Sequence, residues 1–476
     1  QKDLRDLSLA EIAFMAGLPR GPAIMEPSSH AKRAQERRSY VLRRMVEIGA
    51  ITQEQAQIAD KAPLPVPPTI SNTGTGNSYY TETVRGQLIT YKGANSVYSG
   101  GMVVSTYQDL YLQNLAENAL RLGIRDYDIR QGWRGDVYKN YPETWRSVIV
   151  KKCDNKTCLV SDNGEDTTLI NGRNSTQGYH ISPGAHALSD GRYIWEMPST
   201  NGSVIIMDKL GHVKAMVGGF YRGTSSFNRA TQSIRQTGSV IKPFVAITAM
   251  SKGWKPETMV ADVPITLSVS GHDWSPGGDG RDDGMGIITL REALAQSRNQ
   301  AFVRLGMDIG FDTVFDMFKK FGLYDEQANL GPASVLGASE TSLIKMASGY
   351  ASILANTGCP VFPQFIVSDE TPKKCDTETI PDTSALKEML HDVVSDGTAK
   401  IAFKSFSSEN LKRIGGKTGT SNNVMDSWFI GYVDDYIVGV HIGNDIPSTL
   451  GEHEFGSTIA APVAADIMED IIKKGR

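Results

Sequence analysis

Pro243 decides where a helix can begin. It has no amide hydrogen and clashes with the carbonyl four residues back, so it is tolerated only in a first turn. It closes the stretch Arg235-Gln-Thr-Gly-Ser-Val-Ile-Lys-Pro-Phe244, which puts a helix start near Ser239. Gly238 permits a tight turn just before that serine. The apolar run Phe244–Met250 continues the helix, and Lys252-Gly253 ends it with a cation and then a glycine. Ser239 and Lys242 stand at i and i+3, on one helix face, where a hydroxyl and an amine can meet. That pairing suits a serine nucleophile with a lysine base. Unpaired amides and the positive end of the dipole would surround Ser239, where an acyl oxyanion would form.

The rest of the chain supplies the setting. Its 476 residues are enough for two to four domains, and with 40% hydrophobic and 21% charged residues it has the balance of a globular protein. A net charge of -4 gives no electrostatic reason to expect a nucleic-acid partner. Residues 1–62 read as helical, with capping boxes at Ser8-Leu-Ala-Glu11 and Thr52-Gln-Glu-Gln55 and an apolar stripe of Val41, Leu42 and Met45. A linker over 63–130 begins in the proline-rich Ala62–Pro68 and contains an expected strand, Gly101–Thr106. It also contains an expected helix over Asp109–Leu122, with Leu112, Leu115, Ala116, Ala119 and Leu120 on one face. Residues 131–189 switch to short strands and polar turns, as at Asn163-Gly164, and suit a small barrel. Ser161-Asp-Asn163 lies within a turn there and reads as turn chemistry. In the remainder, 190–476, Val204–Met207 and His212–Val217 form a hairpin. The chain begins at Gln1 and has neither a secretory leader pattern nor an apolar run near the ~18 residues a bilayer needs, so a fragment is expected.

Ser-x-x-Lys by itself says little, since it recurs at Ser29, Ser342 and Ser384. Order says more. Ser239-x-x-Lys242 is followed by Ser297-Arg-Asn299 and then by Lys417-Thr-Gly-Thr420. This ordered triplet resembles that of penicillin-binding proteins and class A β-lactamases, the penicilloyl-serine transferase superfamily. Glu340–Ala347, Asp396-Gly-Thr398, Asp426–Gly431 and Ala460-Ala-Pro462 fall in the same family order. Leu7–Pro19 and Ala34–Met45 resemble the last part of the family-51 glycosyltransferase domain, which precedes the transpeptidase in class A, bifunctional penicillin-binding proteins. The catalytic glutamates of that domain have no counterpart here. By position, the small barrel resembles the oligonucleotide-fold (OB-like) insert of the type 1A Gram-negative members.

The resemblance implies a multidomain α+β/α-β protein. Its transpeptidase domain would set helices around an antiparallel sheet, joined by an OB-like insert and a residual helical glycosyltransferase segment. Ser239 would be acylated by a peptidoglycan stem peptide ending in D-Ala-D-Ala, with Lys242 as base. Ser297 would relay protons to the leaving nitrogen, hydrogen-bonded to Lys417, and Asn299 would orient Lys242 and bind the substrate amide. Thr418, Gly419 and Thr420 would line the substrate strand. The threonine hydroxyls would bind a carboxylate, and the Ser239 and Thr420 N–H groups would form the oxyanion hole. No cofactor and no metal is implied. β-Lactams and stem peptides are the expected ligands, with regulatory proteins docking on the insert. The parent protein would be membrane-anchored, facing the periplasm.

Some readings stay open. The four cysteines, Cys153 with Cys158 and Cys359 with Cys375, form two local pairs that suit disulfides, against free thiols or a metal at Cys-x4-Cys. Trp274-Ser-Pro-Gly-Gly278 carries glycines where the family often has Asn and an aromatic. His272, His391 and His453 read as surface or structural residues. A β-lactamase would need a deacylating glutamate, and the nearest string, Glu326-Gln-Ala-Asn-Leu330, has the wrong order. A non-catalytic binder is the third possibility.

Overall fold

The computed structural model describes residues 5, 7–21, 27–64, 78–99, 101–135, 141–172, 177–223, 225–269, 271–276, 284–368, 375 and 379–475. Part of the proline-rich stretch (65–68) and Gly277-Gly278 lie outside them. The chain divides into two units, Gln1–Asn77 and Ser78–Arg476.

The smaller unit is built from α1 (Leu9–Gly17), α2 (Pro27–Glu47) and α3 (Gln53–Lys61). Both expected capping boxes form, at Ser8 with Glu11 and at Thr52 with Gln55. Ala10, Ala13, Leu42, Ala56 and Ala59 make its core. The buried Arg38 ties the end of α3 in place, donating to the carbonyls of Asp60 and Ala62 at 2.8 and 2.6 Å.

The larger unit starts with α4 (Tyr79–Lys92), α5 (Ala94–Ser99) and α6 (Leu110–Gln131). From Ser78 on, the segment read as a linker contributes to this unit's core: Tyr79, Tyr80, Leu112, Ala116 and Leu120 all join its main apolar cluster. Gly101–Thr106 is not a strand. Only Thr106 pairs, in a single bridge to Ile366; Val104 packs against the main apolar cluster, while Met102 and Val103 have no second layer to bury against and are exposed. Helix α6 begins at its expected cap, Asp109, but runs on to Gln131 before Gly132 turns it. Its extension carries Arg125 and Asp128, both buried. Five strands follow: β1 (Arg146–Cys153), β2 (Thr157–Asp162), β3 (Glu165–Ile170), β4 (His186–Ser189) and β5 (Ile194–Trp195), paired in the order β3-β2-β1-β4-β5. A bridge from Ile170 to Tyr193 brings the two edges together, and Val148, Val150, Val160, Leu169 and Tyr179 fill a separate core inside. The sheet thus continues through Trp195, beyond the expected boundary at 189.

The main sheet is formed by β6 (Asn201–Asp208) and β7 (Val213–Val217) with three strands from the far end of the chain. Between them lie β8 (Arg235–Gln236), a 3-10 turn (Gly238–Ile241), α7 (Lys242–Ser251) and β9 (Met259–Asp262). Next come β10 (Leu267–Val269), β11 (His272–Trp274), β12 (Gly286–Thr289), α8 (Leu290–Ala295), α9 (Asn299–Ile309) and α10 (Phe311–Lys320). β13 (Glu340–Thr341), α11 (Leu343–Ala355), α12 (Ser384–Ser395) and α13 (Ser408–Leu411) precede β14 (Ile414–Thr420), β15 (Asp426–Val433), β16 (Tyr436–Gly443) and α14 (Ala460–Lys474). The order is β14-β15-β16-β6-β7, antiparallel throughout, with β14 at one edge. Helices cover both faces. Gly439 lies under Leu343 of α11, and Gly202, opposite Ile442 on the other face, lies under Leu120 of α6. β6 and β16 are therefore buried along nearly their whole length.

Both cysteine pairs are disulfides, Cys153–Cys158 across the β1–β2 turn and Cys359–Cys375.

Candidate active site

The site forms where three segments meet, and each is shaped by its local sequence. The first is the 3-10 turn that carries Ser239 into α7. Pro243 sits in the first turn of α7, and Lys252 with Gly253 (φ +95°) ends it, as the sequence requires. The Lys242 N–H donates to the Ser239 carbonyl, so the two side chains stand one tight turn apart. Ser239 is half-buried and Lys242 fully buried. The turn is held on three sides. Gly238 (φ +54°) donates to the Gly337 carbonyl at 3.1 Å, and the Tyr350 hydroxyl donates to the Val240 carbonyl at 2.8 Å. A Cβ on Gly238 would come 2.3 Å from the Thr420 carbonyl oxygen, so the backbone before Ser239 lies against the Thr420 peptide.

The second segment is the corner between α8 and α9. A capping box forms between Thr289 and Glu292. At its other end α8 closes with paired reverse bonds, Arg298 N–H to Ala293 O at 2.9 Å and Ser297 N–H to Leu294 O at 3.1 Å. That closure puts one residue in the left-handed region, where glycine is usual. Here it is Ser297, at φ +56°. A serine in a glycine position is strained, and such strain persists only where the surroundings hold it. Asn299 starts α9 directly afterwards.

The third is the edge strand β14. Lys417 points into the interior with no exposed surface. Its Nζ donates to Ser297 Oγ at 2.9 Å and to its neighbour's carbonyl, Thr418 O, at 3.1 Å. From the other side Lys242 Nζ donates to Ser297 O at 2.6 Å, to Asn299 Oδ1 at 2.6 Å and to Ser297 Oγ at 3.3 Å. One hydroxyl thus bridges two buried lysines. Burial pushes the Lys417 ammonium down to about 7, because a charged amine loses its hydration there. Phe302 lies 5.3 Å from the Lys242 ammonium and walls the cluster from water.

Thr418 and Thr420 share a face of β14, and each is already engaged. Thr418 Oγ1 is 2.6 Å from Thr398 Oγ1, and Thr420 Oγ1 accepts from Gly456 N–H at 3.0 Å, which leaves its own proton to donate. The glycines of this strand face protein atoms at close range. A Cβ on Gly415 or Gly416 would strike the rings of Tyr432 or Phe429, and one on Gly419 would come 2.6 Å from Thr237 O. Their freedom is used by internal packing and by the approach of the Ser239 turn.

All of Ser239, Lys242, Ser297, Asn299, Lys417, Thr418, Gly419 and Thr420 therefore fall in this one region. Sequence reasoning missed several supports. Thr398 belongs to the motif Asp396-Gly-Thr398, but its contact with Thr418 was not foreseen. Gly337, Tyr350 and Gly456 carried no local signal. At the start of β15, Asp426 is bound by His441 at 2.9 Å and by Ser421 at 3.0 Å. Burial pushes that carboxyl up, but His441, Arg235 and Ser421 outweigh it and hold it below the usual range. Glu326 is exposed and paired with Lys319 at 3.5 Å. Ser161 and Asn163 lie on the small sheet, with Asn163 left-handed in the β2–β3 turn. His391 Nδ1 lies 3.0 Å from Ile414 O. No grouping of ligating side chains fit for a metal occurs among the described residues.

A half-buried serine on a helix-start turn, beside a hydroxyl shared by two buried lysines and flanked by an edge strand, defines the serine acyltransferase class with the penicillin-binding fold. The chain belongs to the penicillin-binding protein transpeptidase family: the family model for the penicillin binding protein transpeptidase domain matches residues 202–469. A transglycosylase family model matches residues 1–46. Penicillin-binding protein 1A of Rickettsia conorii is 32% identical, over 99% of this chain and 67% of the relative. The Neisseria flavescens protein of the same name is 31% identical, over 97% of this chain and 64% of its own length. Among solved structures, penicillin-binding protein 1A from Haemophilus influenzae matches all of this chain and 81% of its own, with TM-score 0.79 and 25% identity. PonA1 from Mycobacterium tuberculosis shares the fold at TM-score 0.57 and 19% identity, covering 83% of this chain and 92% of its own.

Proposed function

We propose that Ser239 is the nucleophile of a peptidoglycan D,D-transpeptidase. Its Oγ attacks the carbonyl of the penultimate D-Ala of a stem peptide while Lys242 takes the hydroxyl proton. The C–N bond breaks, the nitrogen of the terminal D-Ala takes a proton relayed through Ser297, and D-Ala leaves. An amine of a neighbouring stem then attacks the ester and frees Ser239, with the new amide as the cross-link. The Ser239 and Thr420 amides hold the oxyanion, Asn299 orients Lys242, and the Thr418 and Thr420 hydroxyls bind the terminal carboxylate. The observation that carries this reading is the single Ser297 hydroxyl shared by Lys417 and by Lys242, the lysine one turn from Ser239.

The same assignment makes the chain a target of β-lactams, which would trap Ser239 as a lasting ester; the PonA1 protein has been solved with penicillin V. Residues 1–62 we read as the tail of a glycosyltransferase domain, 131–189 as an OB-like insert that docks regulatory proteins, and the parent as anchored on the periplasmic face of the inner membrane. Among the described residues no helix is long and apolar enough to cross a membrane.

The test is intact mass after brief exposure to benzylpenicillin, followed over hours, beside Ser239→Ala. A one-to-one adduct that lasts in the parent chain and is missing from the variant is expected, with D-Ala released from a pentapeptide substrate. No adduct in folded protein would overturn the assignment, and rapid loss with hydrolysed drug would make the chain a β-lactamase.

A further inference from the structure

Thr420 is placed by a segment that none of the family motifs include. Its Oγ1 accepts from Gly456 N–H at 3.0 Å. Gly456 is pressed against the strand that carries Thr420: a Cβ there would come 2.4 Å from Gly419 O and 2.6 Å from Trp428 O. The loop from β16 to α14 therefore forms a strap behind the end of β14. The strap is not held by β14 alone. Two residues before Gly456, Glu454 is 5% exposed, an unusual position for a carboxylate. Arg130 of α6 binds it through both oxygens, Nε to Oε1 at 2.8 Å and Nη2 to Oε2 at 2.7 Å. Gln131 adds a bond to Oε1 at 3.3 Å, and the Tyr127 hydroxyl fixes the strap further back through Leu450 O at 2.9 Å. Between these anchors His453 is left-handed at φ +67°, a strained conformation for a residue with a side chain, while Gly451 turns the chain at φ +114°. A forked pair to a buried carboxylate can hold such a turn; without it the turn has reason to relax.

We propose that Glu454, clamped by Arg130, is a positioning residue for Thr420, so that recognition of a ligand carboxylate depends on a helix outside the catalytic motifs. The inference rests on the reading above that the Thr420 hydroxyl binds that carboxylate. It sets the strap apart from the proton-transfer groups. The strap touches Thr420 and Gly419, whereas Lys242, Ser297 and Lys417 are held by one another and by Asn299.

The experiment compares acylation rate constants for benzylpenicillin and its methyl ester, which lacks the carboxylate charge, on the full chain. The variants are Glu454→Gln, Arg130→Lys, the charge exchange Arg130→Glu with Glu454→Arg, and Thr420→Val as reference. Thr420→Val should collapse the acid-to-ester preference. Glu454→Gln should cut it by about tenfold with the ester rate within about twofold of the parent, and the exchange should restore part of it. Arg130→Lys keeps the charge but loses the fork, and should cut the preference several-fold; it decides the matter if Glu454→Gln does not fold. A preference unchanged in Glu454→Gln or Arg130→Lys, while Thr420→Val collapses it, overturns the proposal. So does an equal fall in acid and ester rates, which marks a purely structural role. A preference that survives Thr420→Val overturns the carboxylate reading itself.

Discussion

Replacing Lys417 by Met should change how stability depends on pH, and the sign follows from burial. In the folded chain the Lys417 ammonium loses its proton at about 7, against 10.5 as the ordinary value. A fall of that size corresponds to roughly 5 kcal/mol. Below pH 7 both folded and unfolded chains hold the proton, and the folded state bears the full cost of a buried charge. Above 7 the folded amine is neutral while the unfolded one still binds a proton. The unfolded state then binds more protons, so stability rises with pH, by about 1.4 kcal/mol per unit, until the unfolded lysine titrates. Methionine removes this dependence. The parent should therefore gain roughly 2–3 kcal/mol on Lys417→Met between pH 7 and 9, whatever the fixed cost of the lost bonds to Ser297 and Thr418. Urea titration followed by tryptophan fluorescence reads this in the larger unit, since all six tryptophans, from Trp133 to Trp428, lie within it. A parent-minus-variant difference that stays flat from pH 6 to 9 would refute the buried, proton-poor amine.

Two further substitutions probe the supports around Ser239. Gly337→Ala puts a Cβ 2.0 Å from Gly238 O at φ +84°; left-handed backbone alone costs about 1–2 kcal/mol, so melting should fall by several degrees and acylation by more than tenfold, and an unchanged melt with an unchanged acylation rate would contradict the packing. Asn299→Ala removes the acceptor 2.6 Å from Lys242 Nζ; a hydrogen bond to a charged group is worth ~1.5–3 kcal/mol, so stopped-flow acylation should slow by about ten- to a hundredfold with circular dichroism unchanged, and a rate within about twofold of the parent would remove Asn299 from the site.

The parts of the site that were legible are those whose reasons are local. Pro243 and Gly238 mark the helix start because a ring and a missing Cβ act on the adjacent turn. Thr289 and Glu292 announce α8 because a capping box closes within four residues. The hairpin of β6 and β7 follows from two apolar runs joined by the turn residues Asp208–Gly211. The expectations that moved had non-local causes. Gly101–Thr106 has strand-like composition, but Met102 and Val103 meet no second layer and stay exposed. The extension of α6 past Leu122 looks too charged for a buried helix. It is stable because Arg125 finds the Ile194 carbonyl at 2.9 Å, and Arg134 pairs with the buried Asp128 at 3.0 Å. Two carboxyls, Asp128 and Glu196, share that arginine, and burial pushes Asp128 up to about 7.

Glycines show the limit most sharply, because a glycine's reason lies in whatever faces it. Gly419 belongs to a recognised motif, which suggested a role toward substrate; in the folded chain the Thr237–Val240 turn occupies that space. Gly337 and Gly456 belong to no motif, yet one accepts the bond that fixes the turn before Ser239 and the other donates to Thr420. The candidate side chains named by order and spacing are thus only half of the geometry. Ser297 makes the same point from the other side. Its type was read correctly, but its left-handed backbone was not, since the closing bonds of α8 depend on how that helix ends. A serine at that corner aims its carbonyl and its hydroxyl at the same lysine, 2.6 and 3.3 Å from Lys242 Nζ. Glycine would suit the backbone better and would leave Lys417 without its side-chain acceptor. The strain is therefore tied to the chemistry: the position that α8 would give to glycine is the one from which a single hydroxyl reaches both lysines.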